Sequence, residues 1–162
     1  MIGHDPRPES MPGSFNVFDV GTSKVIVDRP MPSWFLRMTL RAAAGLGAGR
    51  QIHVIGPMTD ISSDDLLEIG RLLGRGGGIM IVHGNWGHER LRLLRQGAAA
   101  NDVPPIILQA ADERSAIHQG MAMLRANDVM LVLAVDASMV IRLIASSIRR
   151  HRNGFPQTAG AA

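Results

Sequence analysis

His83, Asn85, His88 and Glu89 fall within seven residues of one another, an imidazole and carboxylate grouping of the kind that can ligate a metal or move a proton. The two histidines do not have the i, i+4 pairing of a helical zinc site. No further histidine or cysteine completes a ligand set, so no metal site is expected. Asp28, Asp60, Asp112 and Asp136 are dispersed acids that periodicity does not bring together as a catalytic pair. Gly74-Arg75-Gly76-Gly77-Gly78 has the composition of a phosphate loop. It precedes an apolar run rather than following one, and it lacks the Gly-Lys-Ser/Thr ending, so a helix C-cap and turn explains it better. Gly-x-Ser-x-Gly and Gly-x-Gly-x-x-Gly are both absent, and with no cysteine there is no thiolate nucleophile or disulfide. No catalytic residues are assigned.

These residues have to be positioned by an alternation of short β-branched runs with amphipathic segments. Strands are predicted at 15–20, 24–28, 52–55, 79–82, 106–108 and 129–133, and helices at 33–46, 62–73, 88–100, 112–126 and 137–150. Only Gly21-Thr22-Ser23 separates the first two strands, which forces an antiparallel hairpin. The four later runs are almost continuously apolar, as in parallel strands covered on both faces. The pattern predicts an α/β, Rossmann-like three-layer domain: a six-stranded, mostly parallel sheet with an N-terminal antiparallel hairpin and five helices. Residues 1–13 are expected to be a flexible leader, 14–150 the domain, and 151–162 a flexible tail.

In such a sheet ligands bind beyond the carboxyl ends of the parallel strands. That rule selects Asp28, Gly56, Asp60, His83, Asn85, His88 and Asp136 as candidate substrate-binding residues. Ser62-Ser63-Asp64-Asp65 has the spacing of a capping box, and Asp112 and Ser138 are expected to be helix caps. Trp86 either covers the edge of a site or folds back onto the helix beneath it.

At 162 residues, 46% hydrophobic and 19% charged, the chain can bury a core and form one domain. Its apolar runs are too short to span a bilayer, and the N-terminus has no apolar signal segment. Together with the lack of cysteine, this suggests a cytoplasmic protein and no membrane partner. Net charge is only +3 and tyrosine is absent, which disfavours a nucleic-acid partner. The basic run Arg149-Arg150-His151-Arg152 is read as a helix C-terminus.

The order of segments resembles the C-terminal domain of the Mur ligase superfamily, most closely that of cyanophycin synthetases and related glutamate ligases. The resemblance runs from about Pro12 to about Ile148. It is carried by Pro12-Gly13-Ser14-Phe15-Asn16-Val17 leading into Val25-Ile26-Val27-Asp28, by Val54-Ile55-Gly56 through Asp60, by Asp64-Asp65-Leu66 and Glu68-Ile69-Gly70, and by Asp128 to Val132 with Asp136. It implies a domain that presents an amino acid to an acyl phosphate, while ATP and Mg are held by a separate central domain. That central domain is not recognised in this sequence. The chain alone is therefore expected to need no cofactor and to perform no ligation.

Two departures bear on this. Where the family shows Asp-Tyr-Ala-His-Asn-Pro, Asp28 is followed by Arg29-Pro30-Met31-Pro32-Ser33. Where arginines are expected after the Gly-rich turn stand Ile61 and Ser62. Both remove groups that recognise a carboxylate or phosphate. The reading is a binding or regulatory module, a pseudoenzyme, that takes an amino acid or small metabolite. The alternative is an accessory subunit that completes an amino-acid ligase with a separate ATP-binding chain.

Overall fold

The computed structural model describes residues 11–154, so most of the expected leader and tail lies outside the described residues. The elements are β1 (Asn16–Val20), β2 (Ser23–Asp28), α1 (Ser33–Ala44), β3 (Gln51–Ile55), α2 (Ser63–Leu73), β4 (Ile79–His83), α3 (His88–Ala99), β5 (Ile106–Ala110), α4 (Glu113–Met123), β6 (Val129–Leu133) and α5 (Ala137–Gly154). They form one sheet in the order β1-β2-β6-β3-β4-β5. β1 and β2 pair antiparallel, with Val20 opposite Ser23, and Gly21 turns the hairpin at φ 62°, a left-handed conformation that glycine adopts without a Cβ clash. All other pairings are parallel.

The period of two along each strand divides the core. Ile26, Ile55, Met80, Leu131 and Leu133 face the layer of α1, α2 and α3, where Leu36, Leu66, Ile69 and Leu94 are buried. Val25, Val27, Ile52, Val54, Met130 and Val132 face α4 and α5, meeting Ile117, Val140 and Ile144. One expectation fails here. β5 is apolar in sequence but is the edge strand among the described residues, and Ile106 is 62% exposed.

Two features fix the frame. α2 and α3 cross at backbone contact: a Cβ on Gly97 would sit 1.9 Å from the Leu67 carbonyl oxygen, and one on Gly70 would sit 2.1 Å from that of Leu94. At the opposite end of the sheet, buried Asp128 accepts the backbone N–H groups of Arg50 at 2.9 Å and Arg125 at 2.8 Å, and the Arg50 guanidinium at 2.7 Å. This joins the starts of β3 and β6. Burial opposes the Asp128 charge, but these donors prevail and hold its pKa below the ordinary value.

Helix ends depart from expectation. α4 stops at Met123, short of 126, and α5 continues past 150 to Gly154. The capping box is half formed: Ser62 accepts the Asp64 N–H at 3.3 Å, while Asp65 turns away to accept the Ser33 N–H at 2.7 Å and hydroxyl at 2.5 Å. Asp65 therefore serves the start of α1, which Pro32 leaves without a side-chain cap. The glycine run at 74–78 is the C-cap of α2 and the turn after it.

Candidate functional site

β3 and β6 are neighbours in the sheet, yet the helices that follow them leave to opposite faces, α2 to one and α5 to the other. Their loops therefore separate beyond the strand ends, which is the position where open α/β sheets bind ligands. A cleft of about 700 Å³ opens there, lined among others by Arg29, Pro57, Asp60, Ala134, Asp136 and Ser138. Its volume falls within the range of small-molecule sites.

Three charged residues line it: Arg29, Asp60 and Asp136. Arg29 follows the end of β2, packs over Gly13, and donates to the Pro12 carbonyl at 3.0 Å. The other N–H groups of its guanidinium have no hydrogen-bond partner among the described residues. Asp136 caps α5 by accepting the Met139 N–H at 3.1 Å, so the cap lies two residues before the expected Ser138. Asp112 is a cap as expected, accepting the Ser115 N–H at 2.8 Å.

The cleft's loops are held from behind. Met58 has the left-handed φ of 53°, and Arg90 on α3 donates to the carbonyls of Met58 at 2.7 Å and Pro57 at 3.4 Å. Glu113, buried at the start of α4, accepts the N–H groups of Val135 at 2.7 Å and Asp136 at 2.8 Å. His83 lies 3.6 Å from Glu113 and directly behind Gly56, where a Cβ would come within 2.7 Å of its ring. Burial lowers the His83 pKa, opposed by the charges of Glu113 and Asp112, and its Nε2 has no hydrogen-bond partner among the described residues.

The seven sequence candidates therefore fall in four places. Asp60 and Asp136 line the cleft, and Gly56 and His83 form the wall behind it. Asp28 is half-buried at the end of β2, where it accepts the Arg29 N–H at 2.8 Å and burial raises its pKa. Asn85 and His88 belong to the β4–α3 loop and the start of α3, outside the cleft lining. Trp86 folds back, 5% exposed, with its indole N–H donating to the His83 carbonyl at 3.1 Å. Sequence reasoning did not single out Arg29, Arg90 or Glu113. For Arg29 the available signal was its place one residue past a predicted strand end. For Glu113 no local signal existed, because its partners are more than 20 residues away.

Negative charge in the cleft opposes a nucleoside triphosphate: the N–H groups of Val135, Asp136 and Met139 are taken by the chain's own carboxylates, and Asp60 adds a further carboxylate. Neither cleft hydroxyl, Thr59 or Ser138, is hydrogen-bonded to a base among the described residues.

No family model matches the chain, and no curated protein matches it. Solved structures do. MurF ligase from Thermotoga maritima in complex with ADP matches with TM-score 0.62 and 16% identity, over 87% of this chain and 32% of that one. A UDP-N-acetylmuramoyl-L-alanyl-D-glutamate–2,6-diaminopimelate ligase matches with TM-score 0.65 and 15% identity, over 88% and 32%. A domain ascribed to a UDP-N-acetylmuramate:L-alanyl-γ-D-glutamyl-diaminopimelate ligase of Haemophilus ducreyi matches with TM-score 0.57 and 16% identity, over 83% of this chain and 98% of that domain. The chain thus spans about a third of the whole ligases, and its fold is that of Mur ligase C-terminal domains. Among the described residues, no helix is long and apolar enough to cross a membrane.

Proposed function

We propose that this domain binds an amino acid or a related aminocarboxylate in the cleft between the β3 and β6 loops, and that it does not form amide bonds by itself. One observation carries the reading: a single cleft offers one guanidinium with free donors and two carboxylates. Arg29 can pair with a carboxylate, and Asp60 and Asp136 can hold an ammonium, so the cleft complements a zwitterion. The two carboxylates of the cleft, which complement a cation and oppose a triphosphate, support a binding or regulatory role. The finer kinship, to cyanophycin synthetase and glutamate ligases, rests on the 54–60 and 64–70 segments and belongs to this proposal.

A second reading, the accessory domain of an ATP-dependent amino-acid ligase, is favoured by one observation: the chain covers nearly all of an isolated ligase domain but only a third of whole ligases. ATP and Mg would then be held by another chain or domain. Calorimetric titration with the common amino acids tests the first reading. It predicts saturable binding of at least one of them, weakened about tenfold or more in Arg29→Ala through loss of a charge-assisted pair. Absence of binding by any amino acid would overturn it. Amide formation by the purified chain with ATP would overturn the non-catalytic part.

A further inference from the structure

A second cavity, of about 370 Å³, opens between α1 and α2 over the beginning of β3, at the opposite end of that strand from the cleft. Its walls carry four arginines: Arg37 and Arg41 one turn apart on α1, Arg71 in the last turn of α2, and Arg75 in the turn that follows that helix. Like charges at this spacing repel one another. Glu68 offsets only part of that charge, pairing with Arg37 at 2.5 Å and with Arg71 at 2.5 Å. Arg41 and Arg75 are exposed and have no partner among the described residues. Cations near helix C-termini are favourable in themselves, and that alone would not imply a ligand.

The floor of the cavity supplies the independent observation. His53 on β3 lines it and is 3% exposed, and neither Nδ1 nor Nε2 has a hydrogen-bond partner among the described residues. The Leu73 backbone faces the His53 ring without reaching hydrogen-bond geometry, and buried polar atoms in folded proteins are almost always paired, so this imidazole at the base of a cationic cavity lacks its expected partner. Gln51, beside it on the same strand, adds an amide donor to the lining. A phosphoryl group presents three strong acceptor oxygens, enough to meet guanidinium forks from both helices and the His53 ring together.

We propose that this cavity binds the phosphoryl group of a small metabolite, at a site separate from the strand-end cleft and independent of what the cleft takes. The four arginines would supply the charge, and His53 with Gln51 would direct the oxygens.

The test is titration of the full chain with inorganic pyrophosphate at constant ionic strength, read by calorimetry and by the NMR signals of the His53 ring, with citrate as a polycarboxylate comparison. Saturable pyrophosphate binding that shifts the His53 ring signals is expected. The Arg41→Ala/Arg75→Ala double variant, which alters only exposed side chains, should bind at least about tenfold more weakly. Arg29→Ala should bind as the unaltered chain does. The proposal is overturned if pyrophosphate leaves the His53 ring unmoved, if the double variant binds equally well, or if citrate binds as tightly as pyrophosphate.

Discussion

His53 shows how a single buried side chain can govern the response to acid. Its pKa is lowered from 6.5 to about 4, chiefly by burial, while the facing Leu73 backbone pulls the other way without meeting hydrogen-bond geometry. Between these two values the unfolded chain takes up a proton that the folded chain refuses, so stability is full above pH 6.5 and falls as pH drops towards 4. The shift corresponds to a loss on the order of 3 kcal/mol. His83 contributes in the same direction. Urea unfolding across this window should show the decline, and His53→Leu should flatten much of it; an unchanged slope in that variant would contradict the assignment. Residue types beyond strand ends were legible in the sequence, and Asp60 and Asp136, selected that way, line the cleft. Arg29 was not, because whether a guanidinium is free or consumed depends on packing. Here that packing is the contact with Pro12 and Gly13.

At the scale of elements, the hydrophobic period was a sufficient guide to all six strands and five helices, since each needs one or two buried faces and the repeat shows which residues supply them. The ends were less legible. Asp65 looked like one half of a local capping box, yet it serves Ser33 on another helix, because the start of α1 has no cap of its own and lies within reach. β5 read as a covered strand because its composition cannot reveal that it is last in the sheet. The α2–α3 crossing likewise depends on Gly70 and Gly97, whose meaning appears only once the two helices meet. Gly97→Ala must separate these backbones and is expected to cost about 1–3 kcal/mol or more, measured by chemical denaturation; a neutral result would mean that the helices can slide apart freely.

For the whole molecule, a frame tied at one end leaves the other free to form a site. Asp128 and Arg50 join β3 to β6 where these strands begin, and the cleft opens where the same two strands finish. Asp128→Asn is expected to cost about 3 kcal/mol, at the lower end for a broken buried pair because Arg50 is 30% exposed. The contribution of Asp128 is full above the ordinary carboxylate range and is lost as pH falls through its lowered pKa. If Asp128→Asn unfolds at the same denaturant concentration as the unaltered chain, the tie is not needed. At the other end of the sheet, the cleft can be mapped by NMR of the ¹⁵N-labelled chain with whichever amino acid binds tightest. Shifts are expected to concentrate at Arg29, at 57–60 and at 134–138, and to diminish in Asp60→Asn. Shifts confined to the β4–α3 loop or to the outer faces of the helices, or none at saturating amino acid, would contradict binding in the cleft.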